Sequence, residues 1–254
     1  LWSSGPDDAP EPLHANSGIA FIGGMPYGTG FLFDDNDPNA TSLSALNQLV
    51  ASRAATHDRV HPYLGGEEFL TNPRIEPSRF VIDFGEMDEK DAREWPELIN
   101  IIEQKVRPER EILADNPDGR RRKRFWWRWG RTTPSLDLAR SKVSRVLMHP
   151  YTSSHLAFAF VPSNVVVAAP HPIFVDDTMC RFCKLQSRVH EVWARFTCST
   201  LKDDLSYKVS DCFETFPFPT AALEHAAGES PPTDIPQLTT LETAGREDYE
   251  FRAA

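Results

Sequence analysis

Long apolar runs are missing from this 254-residue chain: nowhere do about 18 hydrophobic residues follow one another, which argues against a membrane-spanning helix and a membrane partner. The N-terminus lacks the basic, then apolar, then small-residue order of a secretory signal, so a cytoplasmic location is expected. Cysteine is scarce. Four thiols, Cys180, Cys183, Cys198 and Cys212, are too few for a disulfide scaffold, and reduced thiols suit a cytosolic chain. Cys180 and Cys183 form a Cys-x-x-Cys pair with two further cysteines downstream. The pair falls inside an amphipathic helical pattern rather than a tight knuckle, so small core residues are a better reading than a zinc site.

The equipment of a catalytic domain is also absent. No nucleophile with its base, metal cluster or phosphate loop occurs at convincing spacing, so no catalytic, cofactor-binding or metal-ligating residue is assigned. The glycine-rich "FIGGMPYGTG" (21–30) could suit a nucleotide or S-adenosylmethionine, but no helical pattern follows it directly, and two strands joined by a turn fit better. "VIDFGEMDEK" (81–90) places Asp83, Asp88 and Lys90 as a Mg²⁺-dependent nuclease might, yet the second half reads as a first helical turn, where acids need no other purpose. "HEVWA" (190–194) lacks the second histidine of a zinc protease helix.

What is present is charge, unevenly spread. Net charge is -10, yet Arg120 to Arg195 carries 14 Lys plus Arg against four acids, a local +10 that leaves -20 for the remainder. At its head stands "RRRKRFWWRWGR", Arg120 to Arg131, with seven cations and three tryptophans in twelve residues. A polyanion surface flanked by acidic ends is one reading, and a solvated charged loop is the bland one.

With 40% hydrophobic residues the chain can build one large domain or two small ones. The patterning predicts a mixed α/β, α+β-like domain of antiparallel or mixed twisted sheets with packed helices. Residues 1–17 read as an extended lead-in, 18–219 as the domain with a possible sub-boundary near 112–132, and 220–254 as a polar linker and a truncated final helix. Helices are expected around 41–51, from Asp88 with a restart at Pro96, from Thr133, and in one long stretch over 177–197. Its stripe of Met179, Phe182, Val189, Val192, Trp193 and Phe196 reads as core. A loop is expected over 61–69 and another before the basic cluster. Strands are expected over 78–85 and as several antiparallel runs between 145 and 175.

Eight phrases, "HPYLGGEEF", "PSRFVIDFGEM", "KVRPERE", "WWRWGR", "HLAFAFVP", "LQSRVHEVWARF", "STLKDD" and "SDCFETFPFP", run in an order that resembles the C-terminal target-recognition domain of large adenine-specific DNA methyltransferases. These are the MmeI-like, type IIG restriction-modification enzymes and BREX-like phage-defence methyltransferases. The resemblance covers roughly residues 18 to 219. It implies a domain that grips duplex DNA opposite an N-terminal methyltransferase domain of the same parent chain and reads bases from the major groove. The family's S-adenosylmethionine loop and Asn-Pro-Pro-Tyr motif do not occur in this chain, so methyl-donor binding and catalysis would belong to the parent enzyme. "HPYTSS" (149–154) stands where the family often carries Arg and Lys, so the bases read do not transfer.

On that reading the candidate phosphate contacts are Arg120, Arg121, Arg122, Lys123, Arg124, Arg128 and Arg131, with Arg79 either a second clamp or a strand-end salt bridge. Trp126, Trp127 or Trp129 would anchor the turn or lie along the DNA backbone; a protein-interaction domain using the Trp patch is a third reading. His149, Tyr151, Ser153, Ser154 and His155 have the donors and acceptors that base edges require. Tyr27 and the segment near Lys202 to Tyr207 are further candidates.

Overall fold

Side-chain caps set several helix starts. A computed structural model describes residues 10–198, 200–201, 204–218 and 236–253, and divides the chain into two compact units. The first comprises residues 1–22, 139–162 and 171–254, the second 23–138 and 163–170. The chain therefore crosses between units at 22/23, 138/139, 162/163 and 170/171, and the stretch 112–132 lies within the second unit.

After β1 (Ala20–Ile22) the chain enters the second unit with β2 (Leu32–Phe33). Ser42 then caps α1 (Leu43–Ser52), its Oγ accepting from Ala45 N at 3.2 Å. β3 (Val60–Leu64) and α2 (Gly66–Thr71) occupy the stretch expected to be loop; Glu68 Oε2 accepts from Gly65 N at 3.1 Å and closes the start of α2. β4 (Arg79–Ile82) follows, then α3 (Glu89–Ala92) behind Asp88 and α4 (Pro96–Lys105), where proline at the first helical position costs no hydrogen bond. α5 (Arg107–Glu111), α6 (Pro117–Arg124) and α7 (Pro134–Arg140) complete the run.

The sheet of this unit has the order β2-β4-β3-β8, antiparallel except for the parallel pair of β3 with β8 (Val166–Val167). Against it pack Phe31, Phe33, Val81, Ile82, Phe84, Leu98, Ile99, Ile102 and Val106, all buried. Leu98, Ile99 and Ile102 thus form the core face of α4, with Ile101 only half-buried.

The first unit is built on a four-stranded antiparallel sheet of order β1-β9-β5-β7, with β5 at Arg145–Met148, β7 at Ala159–Pro162 and β9 at Pro172–Phe174. A small second sheet joins β10 (Thr200–Leu201), β11 (Asp204–Ser206) and β6 (Thr152–Ser153). The hairpin expected over 18–33 does not form. β1 pairs with β9 and β2 with β4, because both partners lie far away in sequence.

The long helix expected over 177–197 is two helices, α8 (Met179–Leu185) and α9 (Arg188–Thr197), broken where Ser187 caps α9. The break shifts the helical phase. Met179 and Phe182 are buried, but Val189, Val192 and Phe196 are 70%, 57% and 67% exposed, while His190 and Ala194 face the core. α10 (Pro236–Ala253) packs on α8, where Gly245 allows close approach to the Met179 carbonyl.

Cys198, at the end of α9, meets Cys212 in the π-helical turn Val209–Phe213, and the two form a disulfide with a Cα separation of 6.0 Å. That corrects the expectation of four reduced thiols; Cys180 and Cys183 remain free. Of the lead-in, residues 10–17 are described, and Asn16 is buried, donating to the Phe213 and Phe216 carbonyls at 2.9 Å. Of the linker expected over 220–236, residues 220–235 lie outside the described residues, and Pro236 already opens α10. Among the described residues no helix is long and apolar enough to cross a membrane.

Candidate nucleic-acid interface

The basic run is helical, not a loop. Asn116 Oδ1 accepts from Gly119 N at 2.8 Å, Pro117 opens α6, Asp118 sits in its first turn, and Arg121, Arg122, Lys123 and Arg124 fill its last turn. Acid at the start and cations at the end both favour the helix dipole. Arg120 pairs with Asp115 at 2.9 Å, and Asp118 is shared by Arg122 at 2.6 Å and Arg121 at 3.3 Å. The Arg122 hydrogen bond, helped by Arg121, holds the Asp118 carboxyl below its usual range. One carboxylate between two guanidiniums leaves a positive charge over. Lys123, Arg124 and Arg131 have no ion pair among the described residues. Four cationic charges on α6 and at Arg131 are therefore left without a paired acid.

The tryptophans face inward. Trp126, Trp127 and Trp129 are 5%, 5% and 3% exposed, with Trp127 Nε1 donating to Met87 O at 2.9 Å and Trp129 Nε1 to Ile82 O at 2.7 Å. Buried indoles with satisfied N–H groups anchor the turn after α6. An exposed Trp patch for a protein partner, or indoles lying along DNA, is thereby corrected.

Arg128 is committed elsewhere: its Nε donates to Met87 O at 2.9 Å, and its fork lies 3.3 Å from both Glu86 and Asp88. Arg79 is likewise the strand-end salt bridge, 2.6 Å from Glu68 and over the Tyr63 ring. These contacts remove both from the set of open cations. Sequence reasoning missed Arg110, which is 2% exposed and donates to the carbonyls of Arg128 (2.6 Å), Pro26 (3.0 Å), Phe125 (3.1 Å) and Tyr27 (3.5 Å). Burial, with Arg122 and Arg121 nearby, pulls its pKa down to about 10, so it stays charged at neutral pH. Its only signal was its place in "KVRPERE", one of the quoted phrases. Tyr27, on the same unit, is half-exposed.

The other candidates lie between β5 and β7 of the first unit. His149 is fully buried against Phe158 and Tyr207, both at 4.8 Å, and burial pushes its pKa down to about 3. A neutral core imidazole cannot reach a base edge, so that assignment is corrected. Ser153 is buried in β6, its Oγ accepting from His155 N at 3.3 Å, and it too is withdrawn. Ser154 and His155 are exposed. Tyr151 is half-buried and lines a recess with Phe21, Lys208 and Ser210. Of the Lys202–Tyr207 segment, Lys202 lies outside the described residues, and Tyr207 is core, its hydroxyl 2.8 Å from His190 Nε2.

Neither decoy gains support. Asp83 Oδ1 accepts from Gly85 N at 2.7 Å, Asp88 pairs with Arg128, and among the described residues no group of three His, Cys, Asp or Glu side chains could hold a metal ion. The glycines of 21–30 serve packing. A Cβ on Gly23 would strike the Val167 carbonyl, one on Gly24 the Trp129 ring, and one on Gly30 the side chains of Lys105 and Val106. Filled on these sides, the segment does not fit S-adenosylmethionine.

Fold and surface define a class: a mixed α/β domain of two units with a cationic helix end. Residues 22–220 match the family described as "MmeI, target recognition domain", and the chain belongs to that family. The structure is similar to that of MmeI, a type IIL restriction-modification enzyme solved in complex with DNA, with a TM-score of 0.64 and 18% identity. The match covers 98% of this chain and 35% of that one, so the chain spans about a third of the length of MmeI. No curated protein matches the chain.

Proposed function

We propose that this chain is the DNA target recognition domain of an S-adenosylmethionine-dependent adenine-N6 DNA methyltransferase of the restriction-modification or phage-defence kind, non-catalytic by itself. The observation that carries this is the family match over 22–220, joined by four uncompensated cations at the end of α6 and in the turn after it. Its partners would be double-stranded DNA and the N-terminal methyltransferase domain of the same parent chain, acting in the cytoplasm. Lys123, Arg124, Arg131 and the surplus charge shared by Arg121 and Arg122 would contact phosphates. Tyr151, Ser154 and His155 would read base edges, since they remain accessible while His149 and Ser153 do not.

The chain alone should therefore bind duplex DNA in a salt-dependent way and transfer no methyl group. Four phosphates neutralised correspond to a log K against log salt slope of about -3.6. Binding without salt dependence, or incorporation of labelled methyl groups into DNA by this chain alone, would refute the proposal.

A further inference from the structure

Arg110 is an unusual residue to bury. Among the described residues no carboxylate lies within salt-bridge distance of it; four backbone carbonyls and the Phe31 ring surround it instead. Those carbonyls belong to two separate turns, at Pro26–Tyr27 and at Phe125–Arg128. The same turns are laced by backbone bonds from Gly130 N to Pro26 O at 3.0 Å and between Met25 and Arg131 in both directions. Tyr27 sits in the left-handed region with φ 53, sparsely populated for a tyrosine, and Gly130 passes directly beneath its ring. The Arg122 guanidinium lies 4.9 Å over that ring. A backbone conformation this unfavourable persists only where its surroundings over-determine it, and Arg110 supplies that determination.

We propose that Arg110 is the positioning residue of the DNA-facing surface. It locks the two turns together so that Tyr27 and Arg122 are presented as one stacked pair to a phosphate of the DNA backbone. This rests on the DNA-recognition reading above. The Tyr27 hydroxyl is a donor suited to phosphate oxygens, Arg122 would share its guanidinium between Asp118, 2.6 Å away, and that phosphate, and the buried Arg110 charge adds to the local positive potential. Lysine could not replace it, because a single ammonium lacks the planar fork that spans four carbonyls.

The test measures duplex affinity of the whole chain by fluorescence anisotropy, with thermal melts run alongside. Arg110→Lys should weaken binding about tenfold for all sequences alike, the loss of one well-placed contact, at a temperature where the variant is folded. In a Tyr27→Ala background the same substitution should change affinity less than about twofold, because the positioned partner is already gone. Gly130→Ala should reproduce the loss, since its methyl group would displace the Tyr27 ring while leaving the Arg110 bonds in place; it carries the test if Arg110→Lys does not fold. Wild-type affinity in Gly130→Ala, or an equal cost of Arg110→Lys in both backgrounds, would reduce Arg110 to a structural tie. A wild-type chain without salt-dependent DNA binding would bring down the DNA reading itself, and this inference with it.

Discussion

Replacing Lys123, Arg124 and Arg131 together with alanine removes the three cations that have no ion pair among the described residues and leaves only the surplus charge at Asp118. Each neutralised phosphate contributes about 0.9 to the log–log salt slope, so the slope should flatten from about -3.6 to about -0.9. Between 50 and 200 mM salt, the wild-type affinity should then fall about 150-fold and that of the variant only about 3.5-fold. Stability should fall modestly. The lost interactions are those of two cations with the C-terminal end of α6 and of Arg124 with the Phe125 ring, together about 1 to 3 kcal/mol. Anisotropy titrations of a labelled duplex at several salt concentrations, with a melt to confirm folding, give both quantities. An unchanged slope in the folded variant would refute the charge count and return α6 to a solvated helix end.

Trp129→Ala should act in the opposite way, costing about 3 to 5 kcal/mol in urea unfolding through lost burial and the orphaned Ile82 carbonyl, since its ring makes no part of the exposed surface. His149 and His190 are held neutral with pKa values of about 3, so the unfolded chain binds more protons than the folded one below its own value of about 6.5. Stability should be full above pH 6.5 and fall by up to about 1.4 kcal/mol per pH unit for each histidine down to pH 3; His149→Phe should shallow that fall, and an unchanged pH profile would contradict the burial argument. In the reconstituted parent enzyme, Tyr151→Ala or His155→Ala should relax the requirement at one base pair, at a cost of about 1 to 3 kcal/mol at the cognate site, while leaving the salt slope in place. If both keep the parental site and rate, base reading does not lie in the stretch between β5 and β7.

Local chemistry was legible in the sequence where it is self-contained. Pro96 at the start of α4 and the apolar runs of β4 and β5 act within a few residues, and each formed as read. Failures came where a distant partner decides. Gln186, at the break between α8 and α9, bonds Phe158 N at 2.9 Å and the Leu156 carbonyl at 2.7 Å, a tertiary clasp no periodicity reveals; once the phase shifts there, Val189, Val192 and Phe196 turn outward. His190 takes a core position because Tyr207 hydrogen-bonds it, and His149 because aromatic rings enclose it. For the site, composition marked the cationic run but could not tell Arg128, spent on Glu86 and Asp88, from Arg131, which stays exposed. Arg110 escaped notice because a buried arginine is identified by the carbonyls around it, and those come from residues 26, 27, 125 and 128.

Exchanging residues 22–220 for the corresponding region of another family member, within the intact parent enzyme, and sequencing the methylated adenines across a genome tests the recognition role most directly. A target recognition domain predicts that the methylated site changes to that of the donor while methyl transfer continues. Methylation that continues at the original site after the exchange would contradict it.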